Sequence, residues 1–392
     1  MESAVIAEPT PIEQLRRQLA DLMRIEEYTV IQPPDTVISF RGQVYGDTET
    51  AFEHMAQRFA EHGYTASLRD QPGGGHEAVA VKGVLERKPG RTWINVALFL
   101  ATLFSVLYIG ARYTLGDANL LTGESLPADV LLMPLTHLHW GLPFAGTLLG
   151  ILLTHELSHY FVARRYGSPV SLPYFIPMPP PNILGTMGAV IVQRAPIRNR
   201  KALFDIGVAG PLGGLIVAIP LLVLGLVLSN VGPPPPHIDT ALQEGNSLLY
   251  VALKYLVFGR ILPSNGEDVW LHPVAFAAWA GLLVTMINLI PVGQLDGGHV
   301  SYALLGRRAK TLGYVLIGAM VAWGGWLSFI QGNQAGGFWM MWGFLNLIIN
   351  PRHPPPLDDT TRLDGRRVAL GLAVLVIFIL LFMPAPLREI RL

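Results

Sequence analysis

The chain of 392 residues contains no cysteine, so disulfides, thiolate nucleophiles and sulfur-ligated metals are excluded. Any metal must be held by histidine and carboxylate side chains. Charge is scarce: 14% of the residues are Asp, Glu, Lys or Arg and 51% are hydrophobic, whereas soluble domains carry about 25% charged residues. The formal net charge is zero, which leaves no basic excess to attract nucleic acid. The N-terminus shows no basic region followed by an apolar run, and no transit-type leader, so no cleaved targeting segment is expected. The remaining charge is unevenly placed. Residues 1–93 hold 14 of the 28 acidic and 10 of the 28 basic groups.

Residues 1–93 read as a small soluble α+β domain. Ile12, Leu15, Leu19, Leu22 and Met23 recur at helical spacing. Asp47 can cap a second helix carrying Phe52, Met55, Ala56 and Phe59 on one face, with Gly63 ending it. Segments 37–45, 64–68 and 78–85 are rich in β-formers, with a Pro-Gly-Gly-Gly turn at 72–75, for a β-α-β-β order. Nothing in this domain points to catalysis. His54, His62 and His76 read as surface residues, and the domain is expected to be regulatory.

Residues 94–392 read as a polytopic helical membrane domain. A spanning helix needs about 20 mainly apolar residues. Segments 94–111, 141–163, 206–229, 273–295 and 368–387 qualify, and the 41 uncharged residues 311–351 allow two spans joined at 331–337. Seven spans follow. Segment 248–262, which carries Lys254 and Arg260, reads as an interfacial helix, with a re-entrant segment as the alternative. With the N-terminal domain in the cytosol, the cytosolic loops hold 13 Lys and Arg residues and the outer side holds 5. The positive-inside rule selects that orientation.

The chemistry lies in the apolar part. His155-Glu156-Leu157-Ser158-His159 falls inside the second span. Residues four apart on a helix share a face, so both imidazoles can meet one zinc ion. Glu156 beside them can act as general base and acid on a water whose pKa the metal lowers to about 7. The alternative is a buried His/Glu hydrogen-bond cluster, but titratable groups within a span are costly and ordinarily functional. A catalytic zinc wants a third protein ligand. Asp296, in Asn288-Leu-Ile-Pro-Val-Gly-Gln-Leu-Asp-Gly-Gly298, is the only acid between Asp268 and Asp358. By topology it reaches the same depth as the two histidines. A helix-end cap is its alternative role, and His299 is a weaker candidate. Pro291 and Gly297-Gly298 would interrupt the helix there, which is tolerated at membrane depth where backbone is buried or lines a wet cavity.

The histidine motif in one span, paired with N-x-x-P-x-x-x-L-D-G in a later one, resembles the site-2 protease family of intramembrane zinc metalloproteases. Pro177-Met-Pro-Pro-Pro181, Gly185-Thr-Met-Gly-Ala-Val-Ile191 and Ala209-Gly-Pro-Leu-Gly-Gly214 are similar to the cyanobacterial and chloroplast branch. The resemblance covers about residues 141–305. It implies one zinc ion on His155, His159 and Asp296, with Glu156 as acid/base. It also implies a polarising role for Asn288 at the scissile carbonyl; an interhelical hydrogen bond is the plain alternative. The implied partners are transmembrane protein substrates and the lipid bilayer. No PDZ-like insertion separates the catalytic spans. The expected location is a bacterial plasma membrane, with the N-terminal domain and active site on the cytosolic side.

A helical substrate shields its own carbonyls, so it must be presented extended. Segments 170–175 and 189–193 are β-prone and are separated by the proline-rich turn and by 185–188. They suit a re-entrant β-hairpin dipping toward the zinc. Gly185 and Gly188 would admit a substrate backbone, and Val190 and Ile191 would offer an edge for strand addition. The alternative is a loop plug. Two other readings of the whole chain stand beside the protease: an inactive scaffold, which the intact His155, Glu156, His159 and Asp296 oppose, and a transporter. A transporter expects ionisable groups along a path across the bilayer, whereas here they gather near one face.

Overall fold

The computed structural model describes residues 10–31, 36–83, 90–114, 132, 134–180, 182–233, 240–349 and 352–391. Residues 84 and 85 of the expected last strand and Pro181 of the proline-rich turn lie outside the described residues, as do Arg87 and Lys88 before the first expected span. The chain divides into two compact units. One comprises Met1–Pro89, Gln193–Leu203 and Pro354–Asp364; the other comprises Gly90–Val192, Phe204–His353 and Gly365–Leu392.

In the first unit the order is α1 (Pro11–Leu19), β1 (Met23–Ile31), β2 (Val37–Val44), α2 (Thr48–Glu61), β3 (Tyr64–Asp70) and β4 (His76–Lys82). Thr10 and Glu13 form a reciprocal cap on α1. Asp47 accepts from the Thr50 N–H to start α2. The four strands form an antiparallel sheet in the order β1-β2-β4-β3. Leu15 and Leu19 of α1 and Phe52, Met55 and Phe59 of α2 bury against Phe40, Leu68 and Ala80 of the sheet.

The expected order omitted a strand. Leu22 and Met23 keep helical spacing after Leu19, but α1 ends there and Met23 enters the sheet opposite Val44. β1 is an edge strand with a bulge between Ile25 and Glu27. The extra residue breaks the period-2 alternation by which a strand is recognised. The opposite edge, β3, is covered within the same unit by the 357–359 segment: the Leu68 N–H donates to Leu357 and the Asp359 N–H donates back to Leu68. Lys201 pairs with Glu49 at 2.6 Å and Arg200 with Asp359 at 2.9 Å, both inside this unit.

The second unit is helical. Its elements are α3 (Thr92–Thr114), α4 (Leu142–Arg165), β5 (Tyr174–Pro177), β6 (Thr186–Val190), α5 (Arg200–Val227), β7 (Asn230–Gly232), β8 (Thr240–Glu244) and α6 (Leu248–Phe258). There follow β9 (Asp268–Trp270), α7 (Pro273–Asn288), α8 (Asp296–Leu305), α9 (Ala309–Gly325), α10 (Ala335–Ile349), α11 (Gly365–Leu381) and β10 (Leu387–Arg391). α5 enters this unit at Phe204. A helix occupies each of the seven segments expected to span. Among the described residues, three stretches are long and apolar enough to cross a membrane on their own: Thr92–Thr114, Arg200–Val227 and Asp296–Ile330. The protein is thus mostly helical with some small sheets, and among the described residues three of the seven expected spans stand on length and hydropathy alone.

Two local departures have clear causes. The expected span at 273–295 ends at Asn288, and Asp296 opens a new helix instead of closing the old one. Leu289–Leu295 forms the connecting loop, into which the first turn of α8 packs closely. A Cβ on Gly297 would lie 2.0 Å from the Leu289 carbonyl oxygen, and one on Gly298 would lie 2.3 Å from that of Gly293. Only glycine fits either position. In α6 the lysine is turned inward. Lys254 is 1% exposed, with Nζ 4.6 Å from the Tyr250 ring and 4.0 Å from Glu244.

The hairpin forms closer to its tip than expected. β5 and β6 pair antiparallel, Tyr174 opposite Val190 and Phe175 opposite Ala189. Toward the root, Ser171 takes over as a side-chain partner: its N–H donates to Val192, and the Val192 N–H donates to Ser171 Oγ. That exchange holds Val170–Ser171 near β6 without extending the ladder, which is why β-propensity placed the strands too far back.

Candidate metal centre

The histidine motif lies in the buried C-terminal half of α4. His155, Glu156 and His159 are at most 5% exposed. The hydroxyls of Thr154 and Ser158 donate to the carbonyls of Gly150 and Thr154, so neither needs an outside partner. The helical spacing does what it implies: His155 Nε2 and His159 Nε2 are 3.1 Å apart.

α5 makes room for this face. A Cβ on Gly210 would lie 2.0 Å from His159 Nε2, and one on Gly213 would lie 2.1 Å from Ser158 Oγ. Gly214 faces His155, where a Cβ would approach Nδ1 to 3.4 Å. The Ile206 carbonyl, one turn earlier, sits 2.7 Å from His159 Nδ1. A carbonyl can only accept, so Nδ1 donates to it and Nε2 is the ring nitrogen left for a metal. α7 seals the other side: a Cβ on Gly281 would lie 2.8 Å from Ile151.

Asp296 arrives from the first turn of α8. Its Oδ2 is 3.1 Å from His155 Nε2, and its Oδ1 is 3.2 Å from His159 Nε2. Each of the three residues offers a ligand atom within 4.8 Å of the others. Zinc–ligand bonds of about 2.0–2.2 Å in a tetrahedral arrangement place donor atoms about 3.3 Å apart. The observed separations fit that edge length. The electronic arrangement fits as well. Asp296 Oδ2 is buried without a hydrogen-bond partner, although it lies beside an imidazole nitrogen. A proton on His159 would serve Oδ1 and leave Oδ2 unserved. Two imidazole Nε2 atoms and a carboxylate converge on one point, an arrangement that a cation would stabilise.

The other sequence-nominated residues fall at graded distances. Glu156 accepts a hydrogen bond from the Ile191 backbone N–H, so the root of the hairpin touches the carboxylate beside the two histidines. Asn288, the last residue of α7, brings Nδ2 to 3.5 Å from His155 Nε2. His299 turns away to His353, with Nδ1 to Nε2 at 2.6 Å, and is not among the converging ligand atoms. Gly185, with φ 74°, is pressed on α3, where a Cβ would lie 2.8 Å from the Ser105 carbonyl oxygen. Gly188, with φ 106°, has no atom within 4 Å of its Cβ direction. Val190 is exposed on the hairpin.

Sequence reasoning gave no role to Ile206, Gly207, Gly210 or Gly213, and it took the Ile191 N–H as a possible substrate donor. The glycines carried a readable signal: positions 207, 210, 213 and 214 lie three or four apart and form one small-residue face on a helix, the pattern of close helix approach in membranes. A carbonyl that orients an imidazole leaves no such signal.

The comparisons agree with this geometry. The family model described as Peptidase family M50 matches residues 143–327, which contain the histidine motif, the glycine face and Asp296. The chain is 30% identical to a probable zinc metalloprotease EGY1, chloroplastic, of Arabidopsis thaliana, over 88% of this chain and 66% of that protein. It is 26% identical to a probable zinc metalloprotease EGY2, chloroplastic, of Oryza sativa subsp. indica, over 98% of this chain and 71% of the relative. A probable EGY2 of Arabidopsis thaliana is 28% identical over 95% and 66%. The chain thus spans about two thirds of these relatives' length. All three carry chloroplast names, against the expected bacterial plasma membrane, and that compartment is withdrawn. The metal that the relatives' names specify is the one the two histidines and the aspartate fit, and the chain belongs to Peptidase family M50, the site-2 protease family of zinc metalloproteases.

Proposed function

We propose that this protein hydrolyses peptide bonds of membrane-spanning protein substrates within or at the edge of the bilayer. The observation that carries the reading is the convergence of His155, His159 and Asp296 beside Glu156, inside an apolar helical unit. His155, His159 and Asp296 hold the metal. Bound zinc supplies Lewis-acid polarisation and lowers the pKa of a water to about 7. Glu156 is not one of the converging ligands. Its carboxylate, fixed from one side by the Ile191 N–H, accepts the proton as attack proceeds and returns it to the departing amine. The Asn288 amide lies at the same point and donates toward the scissile carbonyl.

These roles separate in mutants. Glu156→Gln should lower turnover by about 10²–10⁴-fold with one zinc still bound. Asp296→Ala should lose both activity and zinc. Full zinc occupancy in Asp296→Ala, measured by metal analysis, removes Asp296 from the ligand set.

The hairpin is the proposed substrate platform. β6 pairs with β5 alone in a two-stranded sheet, and Met187 and Val190 are exposed on it. An unwound substrate can add to the other edge of β6 by main-chain hydrogen bonds, with little demand on sequence. Gly188 keeps that edge clear of a side chain. Ile191 is excluded as a discriminating test position, because its N–H serves Glu156 and proline there disturbs the base. Ala189→Pro is the cleaner probe: Val192 faces Ser171 beside β5 with both its N–H and its carbonyl, so by strand alternation Val190 also faces β5 and Ala189 faces the open edge. It should raise KM or lower turnover at least about tenfold, with zinc content unchanged. Wild-type kinetics in Ala189→Pro shows that substrate is not held through this edge.

The orientation proposed from the Lys and Arg distribution puts the loops after α4 and α8 in the cytosol or its organellar equivalent. Since the chain lacks cysteine, single reporters are available without background. Arg165→Cys and Arg307→Cys, both at exposed positions, should resist an impermeant thiol reagent applied outside intact cells and react after permeabilisation. Labelling from outside reverses the orientation.

The N-terminal domain is proposed to recruit or regulate. Among its described residues none joins the metal cluster. Deleting residues 1–85 should leave zinc bound and activity on a simple peptide within about tenfold of wild type, while cleavage of a physiological substrate falls further. Loss of metal in a truncated protein that still folds would assign the domain to the site instead.

A further inference from the structure

α5 is the support of the metal site, and it is weakened where it supports most. Pro211 lies inside the helix, so the Gly207 carbonyl loses its helical N–H partner and the turn around 207–211 can flex. That turn carries both contacts to His159: the Ile206 carbonyl on Nδ1 and Gly210 against Nε2. A helix free to tilt here would lose the orientation of the imidazole. Something outside α5 must fix this turn.

The residue before Ile206 meets that need. Asp205 is gripped by Arg367 of α11 at both carboxylate oxygens, Nε to Oδ1 at 2.8 Å and Nη2 to Oδ2 at 2.6 Å. Tyr166, which caps the C-terminus of α4, donates its hydroxyl to Asp205 Oδ2 at 2.5 Å and accepts from Arg367 Nη2 at 3.1 Å. The three side chains are half-buried and tie together α4, α5 and α11 seven residues from His159 along α4 and one residue from Ile206 along α5. A two-pronged guanidinium–carboxylate pair fixes direction as well as distance.

We propose that Arg367, acting through Asp205 and Tyr166, is a positioning residue of the metal site: it sets the pitch of α5 so that the Ile206 carbonyl holds His159 in its metal-binding orientation. This rests on the metalloprotease reading. The last helix, which carries none of the metal ligands, thereby becomes part of the site's scaffold.

The test uses the full chain purified in detergent, with zinc affinity read by chelator competition and site geometry by the visible spectrum of the cobalt-loaded protein. Arg367→Ala should weaken zinc about tenfold, the lower end of losses for partners behind a ligand, and should alter the cobalt bands, while helical content stays at wild type. Arg367→Lys restores charge without the fork and should recover part of the affinity. Asp205→Asn combined with Arg367→Ala should be no worse than Arg367→Ala alone, because both break one contact. Should Arg367→Ala fail to fold, Arg367→Lys and Tyr166→Phe carry the test. Wild-type zinc affinity and cobalt spectrum in Arg367→Ala, or in both conservative variants, overturns the proposal. A wild-type protein that binds no zinc overturns the reading beneath it.

Discussion

Two imidazole nitrogens and a carboxylate, turned toward one another about 3 Å apart in an apolar helical unit, set the terms for the rest of this structure. Acceptors brought together away from water repel, and an uncompensated buried carboxylate costs several kcal/mol. A divalent cation reverses the sign of that term. Metal binding and the packing of this unit are therefore coupled. The ligands come from two helices far apart in sequence, α4 and α8, and it is α5 that both of them touch.

The glycine face of α5 is the counterpart of that coupling. Gly210 and Gly213 admit His159 and Ser158. Gly207 admits α8 near His299, where a Cβ would lie 2.8 Å from the His299 Cβ. One helix thus sets the spacing between the two ligand-bearing helices with backbone in place of side chains. Within membranes, where apolar burial between helices gains little over lipid, such close backbone approach is the main means of holding helices together. The hairpin then completes the site from a third direction, through the Ile191 N–H on Glu156. The segment that continues β6 and the helix that carries Glu156 meet at this carboxylate.

What the sequence made legible follows a physical line. Histidines four apart on a helix, a lone acid in a charge-free stretch and the Pro/Gly interruption before it were readable, because each is costly in an apolar segment and so stands out. The helical positions were readable from hydropathy, and α2 from its cap at Asp47. Strand β1 was not, because a bulge at Ile25/Glu27 and an exposed edge erased its alternation. The true start of α8 at Asp296 was hidden because apolar runs do not show where a helix breaks and restarts. The Ile206 carbonyl, the Ile191 N–H and the Asp205–Arg367–Tyr166 node were hidden for a different reason. They join backbone atoms or residues far apart in the chain, and no local pattern marks them.

The central claim is that His155, His159 and Asp296 together hold one zinc ion. The most direct measurement is zinc X-ray absorption on the purified protein, with metal content determined on the same sample. The account expects one zinc per chain, a first shell of nitrogen and oxygen at about 2.0–2.2 Å, and outer-shell scattering from two imidazoles that falls to one in His159→Ala. A protein without stoichiometric zinc, or a zinc whose imidazole scattering is untouched by that substitution, would contradict it.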